Sequence, residues 1–213
     1  MPRPPTDPPA SDGARAALLA AAEAEVAEGG SAAVSLRAIA RRAGVSHAAP
    51  AYHFGDKAGV LTALATEGFR RLTAAMRDAI ADSDAPTPAR EVQAAGMGYL
   101  RFALDNPALF DVMWRPSSLH RDDPDLRARG DDAYAILVDA IAAAQARGWG
   151  DGRDADLLAV LMWSWIHGMA TLLRDGPLAE QGDAQTADTP SAEELARAVG
   201  RILIDALAAP PTG

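Results

Sequence analysis

Residues 34–54 read VSLRAIARRAGVSHAAPAYHF, and their pattern predicts two short helices joined by a tight turn. Ser35 is a suitable N-cap for a first helix, whose apolar residues follow the i, i+3, i+4, i+7 spacing of one helical face from Leu36 onward. Gly44 can adopt the left-handed conformation that ends a helix, and Ser46 can cap the next one. A short turn containing glycine between two such helices is typical of a helix-turn-helix.

The second helix of this segment has the composition of a helix that enters a DNA groove. The major groove is about 12 Å wide, so a helix that reads it needs a narrow face with a few polar tips. Alanines at 48, 49 and 51 keep this helix slim, and its polar groups come from Ser46, His47, Tyr52 and His53. Pro50 is expected in the first turn after the Ser46 cap, where a missing N–H costs little.

Basic residues are concentrated around this segment. From Ser35 to Lys57 four basic residues, three of them Arg37, Arg41 and Arg42, accompany one acidic residue, a local charge of +3 in a chain of net charge −9. Neutralising phosphates provides much of the affinity of a protein for DNA, so the pattern predicts a DNA-binding surface. The alternative is a helical hairpin of an all-helical protein whose arginines are only solvated charges.

A further helix is expected directly after the helix-turn-helix. Phe54 supplies an aromatic ring for the core, and Asp56 is a candidate N-cap. Apolar residues continue at helical spacing as far as Ile80, which predicts one long helix. Lys57 lies in its first turn and is expected to direct its ammonium group toward the same phosphates as the arginines.

Residues 14–72 resemble the N-terminal domain of the TetR family of transcriptional regulators. The resemblance is carried by a first helix ending near Glu28-Gly29-Gly30 and by the pattern VSLRAIARRAGVSHAAPAYHFGDKAGVL that follows. It implies a three-helix DNA-binding domain over residues 13–72, with the helix from Ser46 to His53 as the recognition helix. Many members carry a phosphate-contacting tyrosine where this chain has Ala51, and Tyr52 is the candidate to replace it.

Ten residues are predicted to contact DNA. They are Ser35, Arg37, Arg41, Ser46, His47, Ala48, Ala49, Tyr52, His53 and Lys57. The basic members are expected to hold phosphates, whereas the polar residues of the second helix should include the positions that read bases. Methyl contacts from the two alanines are the alternative means of base reading.

Composition indicates an all-α chain. The 213 residues are 49% hydrophobic and 5% aromatic, with frequent alanine and few β-branched residues, which favours helices over strands. Since there is no cysteine, disulfides and thiolate metal sites are excluded. Residues 1–12 are rich in proline and lack the apolar core of a signal peptide, so we expect a disordered tail and a cytoplasmic protein.

Residues 73–209 are predicted to form a second domain for ligand binding and dimerisation. The charges up to residue 75 are eight basic and seven acidic, which leaves twelve basic and twenty-two acidic residues and a charge of −10 for the rest of the chain. Such a region should avoid DNA. After a linker at 82–88, its helical segments are expected at 92–104, 108–114, 125–147, 154–174 and 191–208.

The segment 155–173 is almost continuously apolar and is near the roughly 20 residues that a membrane span requires. Asp156, Ser164, His167 and Gly168 interrupt it, and no basic flank accompanies it, which argues against a membrane helix. A helix that is apolar on every side is instead expected to pack on its own core and on a partner. With the last helix it predicts a homodimer built on a four-helix interface.

Trp163, His167 and Gly168 resemble the W…HG pattern of the C-terminal domain in one branch of the TetR family. The family resemblance implies an effector cavity, for which sulfur and flat rings are suitable linings. The candidate ligand-binding residues are Met97, Leu100, Phe110, Met113, Trp114, Tyr134, Trp163 and His167. The alternative is that these residues are plain core, with His167 bonded to a backbone carbonyl or across the dimer.

Enzymatic and metal chemistry have little support in the sequence. The four histidines share no ligand spacing, and 120–125 is expected to be a solvated acidic loop. We find no phosphate-binding glycine loop after a strand and no nucleophile elbow, so neither an enzyme nor a cofactor is expected. Three functions remain: a repressor released from operator DNA by a small apolar or aromatic effector, a regulator acting without an effector, and a helical ligand-binding protein with a vestigial DNA domain.

Overall fold

The computed structural model describes residues 11–83, 88–178 and 190–208, and within these ranges the chain is helical without strands, which confirms the predicted all-α class. The helices are α1 (Ser11–Ala33), α2 (Leu36–Ala43), α3 (Ala49–Phe54), α4 (Lys57–Ala81), α5 (Pro88–Asp105), α6 (Pro107–Met113), α7 (Pro124–Gln145), α8 (Ala155–Arg174) and α9 (Ala192–Ala208), with a 3₁₀ turn at Pro116–Ser118. The predicted tail lies outside the described residues up to position 10, and Ser11 already belongs to α1.

The bend near the end of α1 has a local cause. Gly30 has φ 74° and ψ 164°, a conformation that favours glycine and cannot continue a helix. The predicted end of the first helix near Glu28–Gly30 is therefore close to the observed break, and residues 31–33 form a separate last turn.

The end of α2 follows the predicted turn chemistry. Gly44 has φ 68° and ψ 27°, and the N–H groups of Gly44 and Val45 donate to the carbonyls of Arg41 and Ala40. This is the paired arrangement of a Schellman motif. Ser35 occupies the expected cap position with extended backbone, but its side chain makes no capping hydrogen bond; only its carbonyl accepts, from Ile39 N–H.

The recognition helix is shorter than predicted. We expected it to begin at Ser46, but α3 starts at Ala49, and residues 46–48 form a turn in which Ala49 N–H donates to the Ser46 carbonyl at 3.0 Å. The cause is Pro50, which lacks the N–H that would close the first helical bond onto Ser46. Ser46 consequently precedes the helix instead of capping it.

Three later helices begin at capping side chains. Asp56 Oδ1 accepts from Gly59 N–H at 2.7 Å and opens α4, as predicted, and Asp154 Oδ1 accepts from Leu157 N–H at 2.9 Å at the start of α8. At α9, Ser191 and Glu194 exchange side-chain bonds with each other's N–H groups, which is a capping box.

The chain divides into two compact units. The first comprises residues up to Gly68 together with Ala108–Arg127, and the second comprises Phe69–Pro107 and Ala128–Gly213. Thus α6 and the loop after it belong mostly with the helix-turn-helix. Within the first unit α6 lies close to α4, since a Cβ at Gly68 would lie 2.5 Å from the sulfur of Met113. The predicted domain boundary at residues 72–73 stays a prediction.

Candidate functional site

The helix-turn-helix is held by a core and exposes a polar face. Ile39, Ala40 and Pro50 are buried, whereas Ser46, His47 and Ala48 in the turn before α3 are exposed. Tyr52 is 82% exposed and is among the most exposed large side chains of the described residues. A large ring that lies mostly in water is available for an external partner.

Two arginines of α2 are available for phosphates. Arg37 and Arg41 lie four residues apart, share one helix face, and are both exposed. Neither makes an ion pair with any of the described residues. Their role as phosphate contacts stays a prediction.

The third arginine of α2, Arg42, pairs with carboxylates of α1. Arg42 Nε lies 2.8 Å from Glu25 Oε1, and Arg42 Nη2 lies 2.5 Å from Glu28 Oε2, so the side chain is directed to α1. The hydrogen bonds that Arg42 donates to Glu28 and then to Glu25 raise the pKa of Arg42. Arg42 contributes to the local charge of +3 but is not among the ten predicted DNA contacts, and these two carboxylates balance its charge within the domain.

Lys57 connects two helices. Its Nζ donates to the carbonyl of Ala32 at 2.6 Å, in the last turn of α1. A cation is favoured at a helix C-terminus, where carbonyls lack partners. Because an ammonium group has three donors, two remain for a phosphate.

The ring contacts around α3 fix its C-terminal end. The ring of His53 lies edge-on to Tyr52 with centroids 5.1 Å apart, and the guanidinium of Arg15 lies 5.2 Å above the ring of Phe54. Phe54 is half-buried and not a core residue as expected, and one face of its ring is in a cation–π contact with Arg15.

Sequence reasoning missed the role of His120. Its Nε2 lies 2.9 Å from Asp56 Oδ1, and its backbone N–H donates to Thr62 Oγ1 at 2.9 Å. The hydrogen bond from Gly59 N–H, followed by that from His120, lowers the pKa of Asp56. The segment expected to be a solvated acidic loop therefore contacts the start of α4. The partners are 64 residues apart in sequence, which no local pattern indicates.

The predicted ligand-binding residues are distributed over both units. Phe110, Met113 and Trp114 belong to the first unit, where the rings of Phe110 and Trp114 are 6.2 Å apart, and the other five belong to the second. Phe110, Met113, Met97 and Leu100 are buried. Their function as a binding site stays a prediction.

An aromatic cluster, consisting of Tyr99, Tyr134, Trp163 and His167, lies in the second unit. Ring centroids are 5.3 Å apart for Tyr99 and Trp163, and 5.6 Å apart for Tyr134 and Trp163. Tyr99, which sequence reasoning overlooked, is 1% exposed, and its hydroxyl lies 2.8 Å from Nδ1 of His167. The carbonyl expected as a partner of His167 is thus replaced at Nδ1 by a tyrosine.

Electrostatics favour a neutral His167. Burial lowers its pKa, and the positive charge of Arg174 lowers it further. A neutral imidazole can accept at one nitrogen, so the Tyr99 hydroxyl can donate to Nδ1.

The last two helices expose apolar side chains. Leu157 and Ile202 are each 70% exposed, and Val160, Leu161 and Leu172 on α8 are also exposed. Helix α8 is long and apolar enough to cross a membrane by length and composition alone, although part of it is buried in the fold. Among the described residues no group of three or more potential metal-binding side chains is found.

Comparison with known proteins agrees with this arrangement. Residues 18–64 match the family described as bacterial regulatory proteins, tetR family, and residues 92–199 match the tetracyclin repressor-like C-terminal domain. No curated protein matches the sequence.

Solved structures share the fold over nearly the whole chain. A protein with unknown function from Rhodococcus sp. RHA1 is 31% identical, with a TM-score of 0.79, over 97% of this chain and 100% of its own. The TetR family transcriptional regulator PfmR from Thermus thermophilus is 24% identical, with a TM-score of 0.67, over 88% and 97% of the two chains. A TetR family regulator from Marinobacter aquaeolei VT8 is 23% identical, with a TM-score of 0.64, over 89% and 94%.

The matched N-terminal domain contains the exposed recognition helix, and the matched C-terminal domain contains the aromatic cluster and α8. Together these findings establish that the chain belongs to the TetR family and is a helix-turn-helix, DNA-binding transcriptional regulator.

Proposed function

We propose that this protein is a homodimeric repressor that binds a pseudo-palindromic operator in the cytoplasm and is released by a small apolar or aromatic effector. The observation that carries the proposal is the combination of an exposed, basic helix-turn-helix with several exposed apolar side chains on the last two helices. The first surface suits DNA, and the second suits another copy of the chain.

The apolar face supports dimerisation over membrane insertion. Leu157 and Val160 on α8 and Ile202 on α9 would expose a large apolar area in a monomer, which soluble proteins normally cover with a partner. In a two-fold dimer the same patch serves both protomers. Two recognition helices would then enter successive major grooves about one helical turn apart.

The aromatic cluster in the second unit is the candidate region for effector binding. It offers flat apolar rings and a polar pair, Tyr99 and His167, which together resemble the lining of small-molecule sites. An effector lowers operator affinity only if it binds the DNA-incompetent conformation more tightly than the competent one. A coupling of about 1–3 kcal/mol would change operator affinity roughly 5- to 150-fold.

Promoter binding as a function of salt, with and without candidate aromatic effectors, tests this function. Salt-sensitive, sequence-specific binding that an effector weakens supports the proposal. Specific binding that no effector changes would indicate a regulator without a small molecule. Effector binding without specific DNA binding would indicate a vestigial DNA domain.

A further inference from the structure

One cavity of the second unit is separate from the aromatic cluster. It is an open groove of about 750 Å³ in the second unit, between the end of α4, α5 as far as Arg101, and one face of α9. Cavities of roughly 300–1,000 Å³ are typical of sites for small molecules. Of the predicted ligand-binding residues, only Met97 lines this groove.

The groove has an apolar floor. Met97 and Ile204 line it and are each 6% exposed. Small alanine side chains at 79, 89 and 94 also line it and leave the space above unfilled. A short hydrocarbon chain placed there would contact carbon atoms and displace water.

Guanidinium groups form one wall. Arg197 and Arg201 are one turn apart on α9, and Arg101 lines the groove from α5. Arg101 is held by two hydrogen bonds to Glu193, at 3.1 and 2.9 Å, and Arg197 lies 3.6 Å from the same carboxylate. Arg201 makes no hydrogen bond or ion pair within the described part of the chain. On this wall Arg101 is held in place by Glu193, Arg197 is loosely paired with the same carboxylate, and Arg201 is available to a ligand.

The charges that line the groove limit the kind of anion that it can bind. Asp82 and Asp205 also line the groove, and Glu193 neutralises Arg101. A polyanion would meet these carboxylates, whereas a single anionic group could lie beside Arg197 and Arg201 alone. Guanidinium groups bind carboxylates with short, charge-assisted hydrogen bonds.

We infer that this groove binds an organic monoanion with a short apolar body, the anionic group lying against Arg197 and Arg201 and the apolar body on Met97 and Ile204. The inference does not depend on the proposed effector response, because binding at the groove can be measured without DNA.

Isothermal titration calorimetry with octanoate and with 1-octanol tests the inference on the full chain, since the two probes share an apolar chain and differ in charge. Octanoate should bind saturably and the alcohol roughly tenfold more weakly. Arg201→Gln should weaken octanoate binding roughly tenfold and leave 1-octanol unchanged. Arg129→Gln, an exposed arginine of α7 away from the groove, is the charge-matched control and should bind like the unaltered protein.

Arg197→Gln provides a second variant, and circular dichroism checks that each variant is folded. Equal affinity for the two probes, no octanoate binding by the folded protein, or equal effects of Arg201→Gln and Arg129→Gln would each overturn the inference. A Trp163→Ala variant that abolishes octanoate binding while Arg201→Gln and Arg197→Gln do not would place the probe in the aromatic cluster and also overturn it.

Discussion

The helix-turn-helix and the α8–α9 pair both present exposed side chains, but of opposite kinds. The first exposes Arg37, Arg41 and Tyr52, and the second exposes Leu157 and Ile202. Charges and hydroxyl groups are well solvated, whereas large apolar side chains gain free energy when a partner removes them from water. The difference is what the proposed dimer would explain, because a second copy of the chain would cover the apolar side chains of α8 and α9 and leave the helix-turn-helix free for DNA.

Disrupting the exposed apolar side chains of α8 and α9 should have the largest effect on oligomeric state and operator affinity. Leu157→Glu places a charge at the centre of the proposed dimer interface, where it cannot be solvated, so the protein should become monomeric at micromolar concentration. Joining two half-sites raises overall affinity by about 10²–10⁴, so operator affinity should fall at least about a hundredfold. Sedimentation and fluorescence anisotropy measure the two effects.

The control for Leu157→Glu is Ala142→Glu, which adds the same charge at an exposed position of α7. It should leave both the oligomeric state and the operator affinity unchanged. A Leu157→Glu protein that stays dimeric would refute the assignment of this surface to dimerisation.

Arg41 and Arg42 are neighbours on α2, and replacing each of them should have different effects on DNA binding. Arg41→Ala should weaken binding to all sequences and reduce the slope of log affinity against log salt by about 0.9, the value for one lost phosphate contact. Arg42→Ala should leave the slope unchanged and lower the melting temperature, because Arg42 pairs with Glu25 and Glu28. Equal slopes for the two variants would contradict the separation of their roles.

These two arginines also illustrate how much the sequence could predict. The sequence correctly predicts the helices from the spacing of apolar residues, the turn at Gly44 and the N-cap at Asp56. Each of these features depends on neighbours within a few residues. The partners of Arg42 lie 14 and 17 residues away, so its direction depends on how α1 packs on α2. Sequence spacing cannot show such a packing.

The same limit applies to the candidate sites. His120 and Asp56 are 64 residues apart, and Tyr99 and His167 are 68 apart, so neither pair could be inferred from local pattern. The start of α3 differs for another reason, since the missing N–H of Pro50 is a local feature of the sequence and moves the start of the helix from Ser46 to Ala49. With the start of α3 as the exception, predictions held where local chemistry dominates and failed where long-range packing decides.

Replacing Asp56, the N-cap of α4, should have a smaller effect than the substitutions in α8 and α2, and it should act on thermal stability. Asp56→Ala removes the acceptor of Gly59 N–H and the partner of His120, so it should lower the melting temperature, whereas Asp56→Asn keeps an N-cap oxygen and should lower it less. Because the pKa of Asp56 is lowered from 3.8, its carboxylate stabilises the fold above that pH. This stabilisation should be lost as pH falls through the folded-state pKa. Thermal melts of the three proteins between pH 3 and pH 7 measure it, and identical pH profiles would contradict the assignment.

The smallest expected effect concerns His167. Its pKa in the folded protein is lowered from 6.5, so below about that pH the unfolded chain binds a proton that the folded chain does not. The stability contributed by the neutral ring is therefore present above pH 6.5 and decreases as pH falls below it. His167→Gln should show a weaker loss of stability between pH 7 and pH 5 in urea unfolding. A pH dependence equal to that of the unaltered protein would contradict a half-buried, neutral His167.

Selection of binding sites from a pool of random duplex DNA tests the central claim most directly, because it requires both the reading surface and the two-fold pairing. The account predicts an inverted repeat whose half-site centres are about one helical turn or slightly more apart, bound by two protomers. Recovery of single, unpaired half-sites, or of no sequence preferred over random DNA, would contradict it.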